Sequence, residues 1–358
     1  MTPELKGFLL VSAGKLLLVF SVVMLGVAYE TLLERWVCAW MQDRLGPNRA
    51  GPRGILQPIA DGIKNFVKEE HIPGTDTRTL YLLAPALALI PATMLAAVIP
   101  WGSPLQLHFD VTLGPLGRFS YDGLTSTAVA DLPIGFLYVL AFSSVGVYGI
   151  ALAGWASNNK YSLLGGLRAT AQMMSYEVAM GLSLIPVLLL TGNVSFSQII
   201  GAQQHGLWFA FPLLLSAFLF LVSGFAETNR VPFDLPESES ELVAGYFSEY
   251  SAMTFALFFL GEYANMILMS ASTTVLFLGG WLPPVGIAPF TWIPGWIWFF
   301  LKISLVLFGF LWVRATVPRY RYDQLMRLGW KVFLPFTLFW VVLTAGVLVA
   351  FGWLPHHG

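Results

Sequence analysis

Apolar residues along this chain are gathered into long unbroken runs, and the short segments between the runs hold most of the charge. A run of roughly 20 apolar residues crosses a hydrocarbon core about 30 Å thick. Eight runs qualify, approximately Leu9 to Tyr29, Leu80 to Ile99, Leu132 to Ala153, Met173 to Thr191, Leu207 to Ala226, Ser251 to Leu278, Trp296 to Val313 and Val332 to Phe351. They predict eight transmembrane helices, and an even number leaves both termini on one side. The pattern changes character once, between Ile55 and Lys68. There Ile55, Leu56, Ile59, Ile63, Phe66 and Val67 fall on one side of a helical wheel and Gln57, Asp61, Lys64, Asn65 and Lys68 on the other. Such a helix lies in the interface plane, so Asp61 is expected to face away from lipid, toward water, a partner subunit or a protein cavity. The expected fold is an all-α integral membrane protein of one polytopic domain, residues 1–358, with a cytoplasmic-side amphipathic helix and largely irregular outer loops.

Composition agrees and narrows the chemistry. Hydrophobic residues make up 56% of the chain, charged residues 11% and mean hydropathy is +0.71, which excludes a soluble globular domain of this length. Lys and Arg are strongly one-sided: fifteen fall in the loops after the odd-numbered runs, and only Lys6 and Arg118 fall on the other side. By the positive-inside rule the termini face out and the charged loops face the cytoplasm. Lys15 and Lys302 lie within runs; Lys302, roughly 9 Å beyond Trp296 by helical rise, is within snorkelling reach of the interface. The single cysteine, Cys38, rules out a disulfide framework, a thiolate metal site or an iron-sulfur cluster built from this chain. The five histidines show no metal-ligand spacing, and neither a phosphate-binding glycine loop nor a nucleophile elbow is present. No metal, flavin or nucleic-acid partner is expected, and redox chemistry must come from partner subunits.

What chemistry there is belongs to the acids. The stretch Ala226 to Tyr250, AETNRVPFDLPESESELVAGYFSEY, holds Glu227, Asp234, Glu237, Glu239, Glu241 and Glu249, with Arg230 as its only base. It lies between two apolar runs, at a membrane boundary where burial favours the protonated carboxyl. Asp234 followed by Pro236 reads as a helix start, with Glu237, Glu239 and Glu241 in the first turns. Glu237 and Glu241 share a face at i,i+4, so at least one should titrate above the free value of about 4.3. Glu177 and Glu262 fall within apolar runs, Glu262 roughly 16 Å deep; Asn265 offers it a structural hydrogen bond, but intramembrane acids are functional by default. Glu34 and Arg35 open the first charged loop, and Arg314 and Arg319 begin the last.

The same stretch resembles the signature loop of one membrane component of NADH:quinone oxidoreductase, respiratory complex I, the component designated H in bacteria and 1 in mitochondria. The resemblance continues in QDRLGPNRAGPRGILQPIADGIKNFVKE (Gln42 to Glu69), GWASNNKYSLLGGLRATAQMMSYE (Gly154 to Glu177) and LWVRATVPRYRYDQLM (Leu311 to Met326). Ser238 stands where the family usually has Gly, and Trp36 where it commonly has a base. The resemblance implies quinone as substrate, other membrane and peripheral complex I subunits as partners, and the bacterial cytoplasmic membrane or the mitochondrial inner membrane as location. It implies a quinone cavity near Arg35, Asp61, Arg314 and Arg319. The expected proton path runs through Glu34, Asp61, Glu177, Glu227, Glu237, Glu239, Glu241, Glu249 and Glu262. Two alternatives stay open on the residues alone: the related subunit of a membrane-bound hydrogenase, and an independent proton or cation transporter.

The charge bias makes a direct prediction about sidedness. A cysteine at position 118 should label with an impermeant reagent from outside and one at position 160 only from inside; labelling of both from one side would overturn the topology.

Overall fold

The structure is a computed structural model that describes residues 3–73, 77–112, 118–204, 206–235, 243–284, 286, 288 and 290–353. Seven helices are long and apolar enough to cross a membrane: α1 (Pro3–Met41), α3 (Arg78–Ala96), α4 (Gly135–Ala156), α5 (Lys160–Thr191), α8 (Ala252–Phe277), α9 (Gly295–Thr316) and α10 (Tyr322–Phe351). Three shorter α-helices are present among the described residues: α2 (Gln57–Val67), α6 (Phe196–Gln204) and α7 (Leu214–Glu227).

The eighth expected span is therefore shorter than its apolar run. Of Leu207 to Ala226 only the 14-residue α7 is helical, because the segment before it is spent on turns closed by the Phe211 N–H to the Trp208 carbonyl and the Leu213 N–H to the Phe209 carbonyl. The Ala210 N–H donates to the Phe277 carbonyl at 2.9 Å, tying that turn to the end of α8. Two other helices begin or end well outside their runs. α1 continues to Met41, so Glu34 and Arg35 are helical rather than the start of a loop, and α5 begins at Lys160, where the Asn159 side chain accepts the Tyr161 N–H as an N-cap.

The connection between α3 and α4 corrects the expectation of irregular outer loops. Leu105–Thr112 (β1) and Arg118–Thr125 (β2) pair antiparallel, with Leu105 opposite Thr125 and Thr112 opposite Arg118. Arg118 donates to Asp110 on the neighbouring strand and holds its carboxyl below the ordinary range. The hairpin leans on α1. Lys15 Nζ donates to Thr125 Oγ1 at 2.5 Å and to the Ser126 carbonyl at 2.7 Å, and a Cβ on Gly7 would meet the Ser120 carbonyl.

α8 is the most buried of the long helices and lies at the centre, against α1, α3, α6, α7 and α9. Small residues let the helices around it approach closely, as packing without a hydrophobic drive requires. At the α3–α4 crossing a Cβ on Gly149 would lie 2.7 Å from the Ala88 backbone nitrogen, and at the α4–α5 crossing Gly154 and Gly166 are in backbone contact. Lys302 is buried in the bundle. It is 5% exposed, and its Nζ donates to the carbonyls of Leu278, Gly280 and Leu282 at 2.6, 2.9 and 2.7 Å, satisfying the orphan carbonyls where α8 ends. The Trp208 ring 4.1 Å away completes its surroundings.

Candidate functional site

The site begins with a turn. After α7 the Thr228 N–H still reaches the Gly224 carbonyl, Asn229 takes the left-handed conformation (φ 51°) that Asn tolerates, and the Arg230 N–H returns to the Phe225 carbonyl. Gln172 of α5 pins this reversal from outside, its Nε2 donating to the carbonyls of Ala226 and Phe233 at 2.8 and 2.7 Å. The turn so held aims Arg230 into the bundle rather than into water.

Inside, Arg230 meets acids from two helices. Its Nε sits 2.8 Å from Glu262 Oε1 of α8, as an ion pair rather than an aligned hydrogen bond, and its Nη1 lies 3.5 Å from Glu34 Oε2 of α1. The side chains of Arg230, Glu34 and Glu262 are 7%, 10% and 12% exposed, so all three charges are largely desolvated. Tyr263 closes the cluster, donating from its hydroxyl to Glu34 Oε2 at 2.9 Å while its ring lies 4.2 Å from the guanidinium. Arg314 of α9 reaches the other oxygen of Glu34. The partner of Glu262 is thus Arg230 as well as any neighbour on its own helix. Away from water a lone carboxylate is costly, and here the acids and guanidiniums offset one another's desolvation.

Two more pairs lie nearer the end of the bundle. Arg35 Nη1 donates to Asp61 Oδ2 at 2.8 Å, joining α1 to α2, and Gln57 donates to the other Asp61 oxygen at 3.1 Å. The stripe Gln57, Asp61 and Asn65 is half-buried where α2 packs on α1 and α8, while Ile59, Ile63, Phe66 and Val67 point out and are exposed. Helix α2 stops at both ends inside the predicted stretch, leaving Ile55, Leu56 and Lys68 beyond it. Arg319 Nη2 pairs with buried Asp234 at 2.9 Å, and the Tyr320 N–H donates to the Pro232 carbonyl, so the last charged loop is docked onto the turn that carries Arg230.

A second series of acids lies beyond the Arg230 cluster. Adjacent serines of α4 serve two of them: Ser143 donates to Glu227 Oε1 at 2.5 Å, and Ser144 to Glu177 Oε1 of α5. Glu227 is 4% exposed, and no protein group donates to its Oε2. Two small cavities border it. One, of about 30 Å³, is lined by Glu227, Glu262, Asn265 and Asn229; the other, of about 20 Å³, by Glu227, Ser143, Asn265 and Ser272. A water needs roughly 10–15 Å³ of such space and several polar partners, which both cavities supply. A water in the first cavity would lie between Glu262 and Glu227, while the adjacent serines tie Glu227 and Glu177 to one turn of α4.

Glu249 stands at a different junction, where Asn159 Nδ2 donates to its Oε1 at 2.8 Å and Tyr81 donates to its backbone carbonyl at 2.8 Å. Neighbouring Tyr250 stacks on Tyr81 with centroids 4.2 Å apart; burial raises its phenol above the ordinary range, so it remains a donor to the Tyr81 carbonyl. Glu237, Glu239 and Glu241 lie outside the described residues. Reading the sequence alone singled out Glu34, Glu262 and Arg314 separately but missed what joins them. Arg230 was legible as the only base among six acids; Glu30 was missed, although its place one turn before Glu34 on the same helix face could have marked it, and Ser143, Ser144, Gln172 and Tyr263 carry no local signal.

A polytopic bundle with ionisable residues strung from a peripheral helix into its interior defines a class of protein, the helical membrane protein with paired charges buried in its core. Comparison with known proteins makes this specific. The family model described as NADH dehydrogenase matches residues 14–345. The H subunit of the NADH-quinone oxidoreductase of Rhodospirillum rubrum is 59% identical over 334 residues, 93% of each chain. NADH-ubiquinone oxidoreductase chain 1 of Chondrus crispus is 51% identical over 97% of this chain and all of that one, and the H subunit from Paramagnetospirillum magneticum is 54% identical over 99% and 97%. The chain belongs to this family.

The cluster's stability is testable by itself. Arg230→Met leaves Glu34 and Glu262 without their shared partner and should destabilise the protein by about 3–5 kcal/mol. Arg118→Met breaks only an exposed pair and should leave the midpoint where it was. Thermal unfolding in gentle detergent reads both, and equal midpoints would show that the buried pairing contributes nothing.

Proposed function

We propose that this chain is the membrane subunit of a proton-pumping NADH:quinone oxidoreductase that helps form the quinone-access cavity and couples quinone reduction to proton movement through its buried carboxylates. The observation that carries the reading is the continuity of the ionisable groups. Arg35 and Asp61 stand at the α1–α2 junction, Glu34 beside Arg35 on α1 leads to Arg230, Arg314 and Glu262, and Glu227 and Glu177 continue beyond the two small cavities.

Quinone is taken as substrate and reaches the protein from lipid between α1, α2 and α8, close to Arg35, Asp61, Arg314 and Arg319. The outward apolar face of α2 suits a helix lying in the interface. Partner subunits of complex I supply the electrons, and the head group reacts in an adjoining peripheral subunit. Negative charge arriving with reduced quinone disturbs the nearest ion pairs first, and the acids behind them redistribute protons as a group. Glu237, Glu239 and Glu241 belong to the same path by this reading, as does Glu249.

The reading also takes α7 with its preceding turn as an eighth crossing. Its turn lies against the end of α8 at Phe277, and Arg230 beyond its other end reaches the opposite part of the bundle with Glu34 and Arg314. Both termini then face the outer side of a bacterial cytoplasmic membrane, or the corresponding side of the mitochondrial inner membrane.

Sealed vesicles carrying the assembled complex test both halves at once. Arg35→Ala and Asp61→Ala should lower quinone reduction while NADH oxidation by a small artificial acceptor continues. Glu177→Gln and Glu227→Gln, which keep size and hydrogen bonding but cannot titrate, should slow coupled quinone reduction and proton pumping by about tenfold or more. Full pumping in both glutamine variants would remove the proton route, and joint loss of both activities in the α1–α2 variants would remove the quinone site.

A further inference from the structure

Glu30 belongs to none of the pairs above, and its surroundings are unusual for an acid. It lies one helical turn before Glu34 on α1 and is 3% exposed, yet no protein group donates to either carboxylate oxygen. Its charged neighbours come from every side of the cluster: Glu34 from its own helix, Glu262 from α8 and Arg230 from the turn after α7, with Arg314 of α9 on the far side of Glu34. Among the described residues, Asp61 balances Arg35 and Asp234 balances Arg319. What remains is three carboxyls, Glu30, Glu34 and Glu262, facing two guanidiniums, Arg230 and Arg314.

Two positive charges cannot neutralise three desolvated carboxylates, so the cluster retains one proton. Hydrogen bonding decides which acid carries it. Glu34 accepts from Arg314 and Tyr263 and lies against Arg230, and Glu262 is paired with Arg230, whereas Glu30 has no donor to stabilise a negative charge. We propose that Glu30 is a proton-storing carboxyl of this cluster, neutral at rest, which extends the acid series along α1. When a guanidinium turns from Glu34 toward Glu30, the proton on Glu30 passes to Glu34, the carboxylate one turn away. Negative charge then moves to Glu30, and no other reactant is consumed. The i,i+4 spacing sets the two side chains about 5–6 Å apart at their β-carbons, close enough for transfer directly or across one water.

This inference rests on the proton-path reading, and the experiment separates the two. The assembled complex in sealed vesicles is compared as wild type, Glu30→Gln, Glu30→Leu and Glu30→Asp, with Glu227→Gln as reference. Because Gln and Leu replace a neutral group, both variants should assemble normally and both should slow coupled quinone reduction about tenfold. Glu30→Asp should restore part of the rate, with a shifted pH profile that a purely structural residue would not produce. Failure of Glu30→Gln to assemble, when it is the isostere of the protonated acid, would overturn the neutral resting state. Full pumping in Glu30→Gln and Glu30→Leu alongside an impaired Glu227→Gln would overturn the proton store alone. Full pumping in all of them would overturn the path itself.

Discussion

The burial of one guanidinium constrains the rest of this structure. Arg230 is 6% exposed, beside two carboxylates taken from helices far apart in the chain, and none of the three charges is tolerable there without the others. That requirement explains features that look unrelated. The turn after α7 must reverse sharply enough to send Arg230 inward, which Asn229 and the clamp from Gln172 achieve. Helix α1 must run on past its apolar run so that Glu34 arrives at the same depth. The last charged loop must dock on the turn through Arg319 and Asp234 so that Arg314 meets Glu34 from the other side.

A cluster held this way is suited to responding to charge. Arg230, Glu34 and Glu262 are almost fully desolvated, so on the proposed reading displacing one partner is answered by a change in the protonation of the others. On the proposed reading, the two small cavities extend such a change from Glu262 toward Glu227, and the adjacent serines of α4 hold Glu227 and Glu177 on one turn. Lys302 contributes at the opposite end. By satisfying three carbonyls it fixes where α8 stops, and α8 carries Glu262.

Much of the fold was legible because lipid demands unbroken apolar runs, and those runs are local. The ends of the helices were not. Glu34 and Arg35, and the polar start of α5 at Lys160, read as loop because their partners, Arg230, Asp61 and Asn159, complete them only once the chain is folded or capped. The hairpin was written in the alternation of Leu105, Leu107, Phe109 and Val111 with Gln106, His108 and Asp110, a period-two signal hidden by the expectation of an irregular loop. Of the site, the acids were legible as charges in apolar surroundings. Their grouping was not, since Arg230 and Glu34 lie 196 residues apart and nothing local joins them. Glu30 escaped notice because it falls just past the end of the first apolar run, where an acid reads as boundary.

The most direct test of the shared buried charge is a double-mutant cycle of Arg230→Gln and Glu262→Gln, measured in the assembled complex by thermal unfolding and by coupled quinone reduction. Removing Glu262 in the Arg230→Gln background relieves an uncompensated charge, so the double variant should unfold at a higher temperature than Arg230→Gln alone while coupled activity stays low. Strictly additive losses of stability would mean that the two residues do not share a buried charge, and the organising role assigned to Arg230 would be wrong.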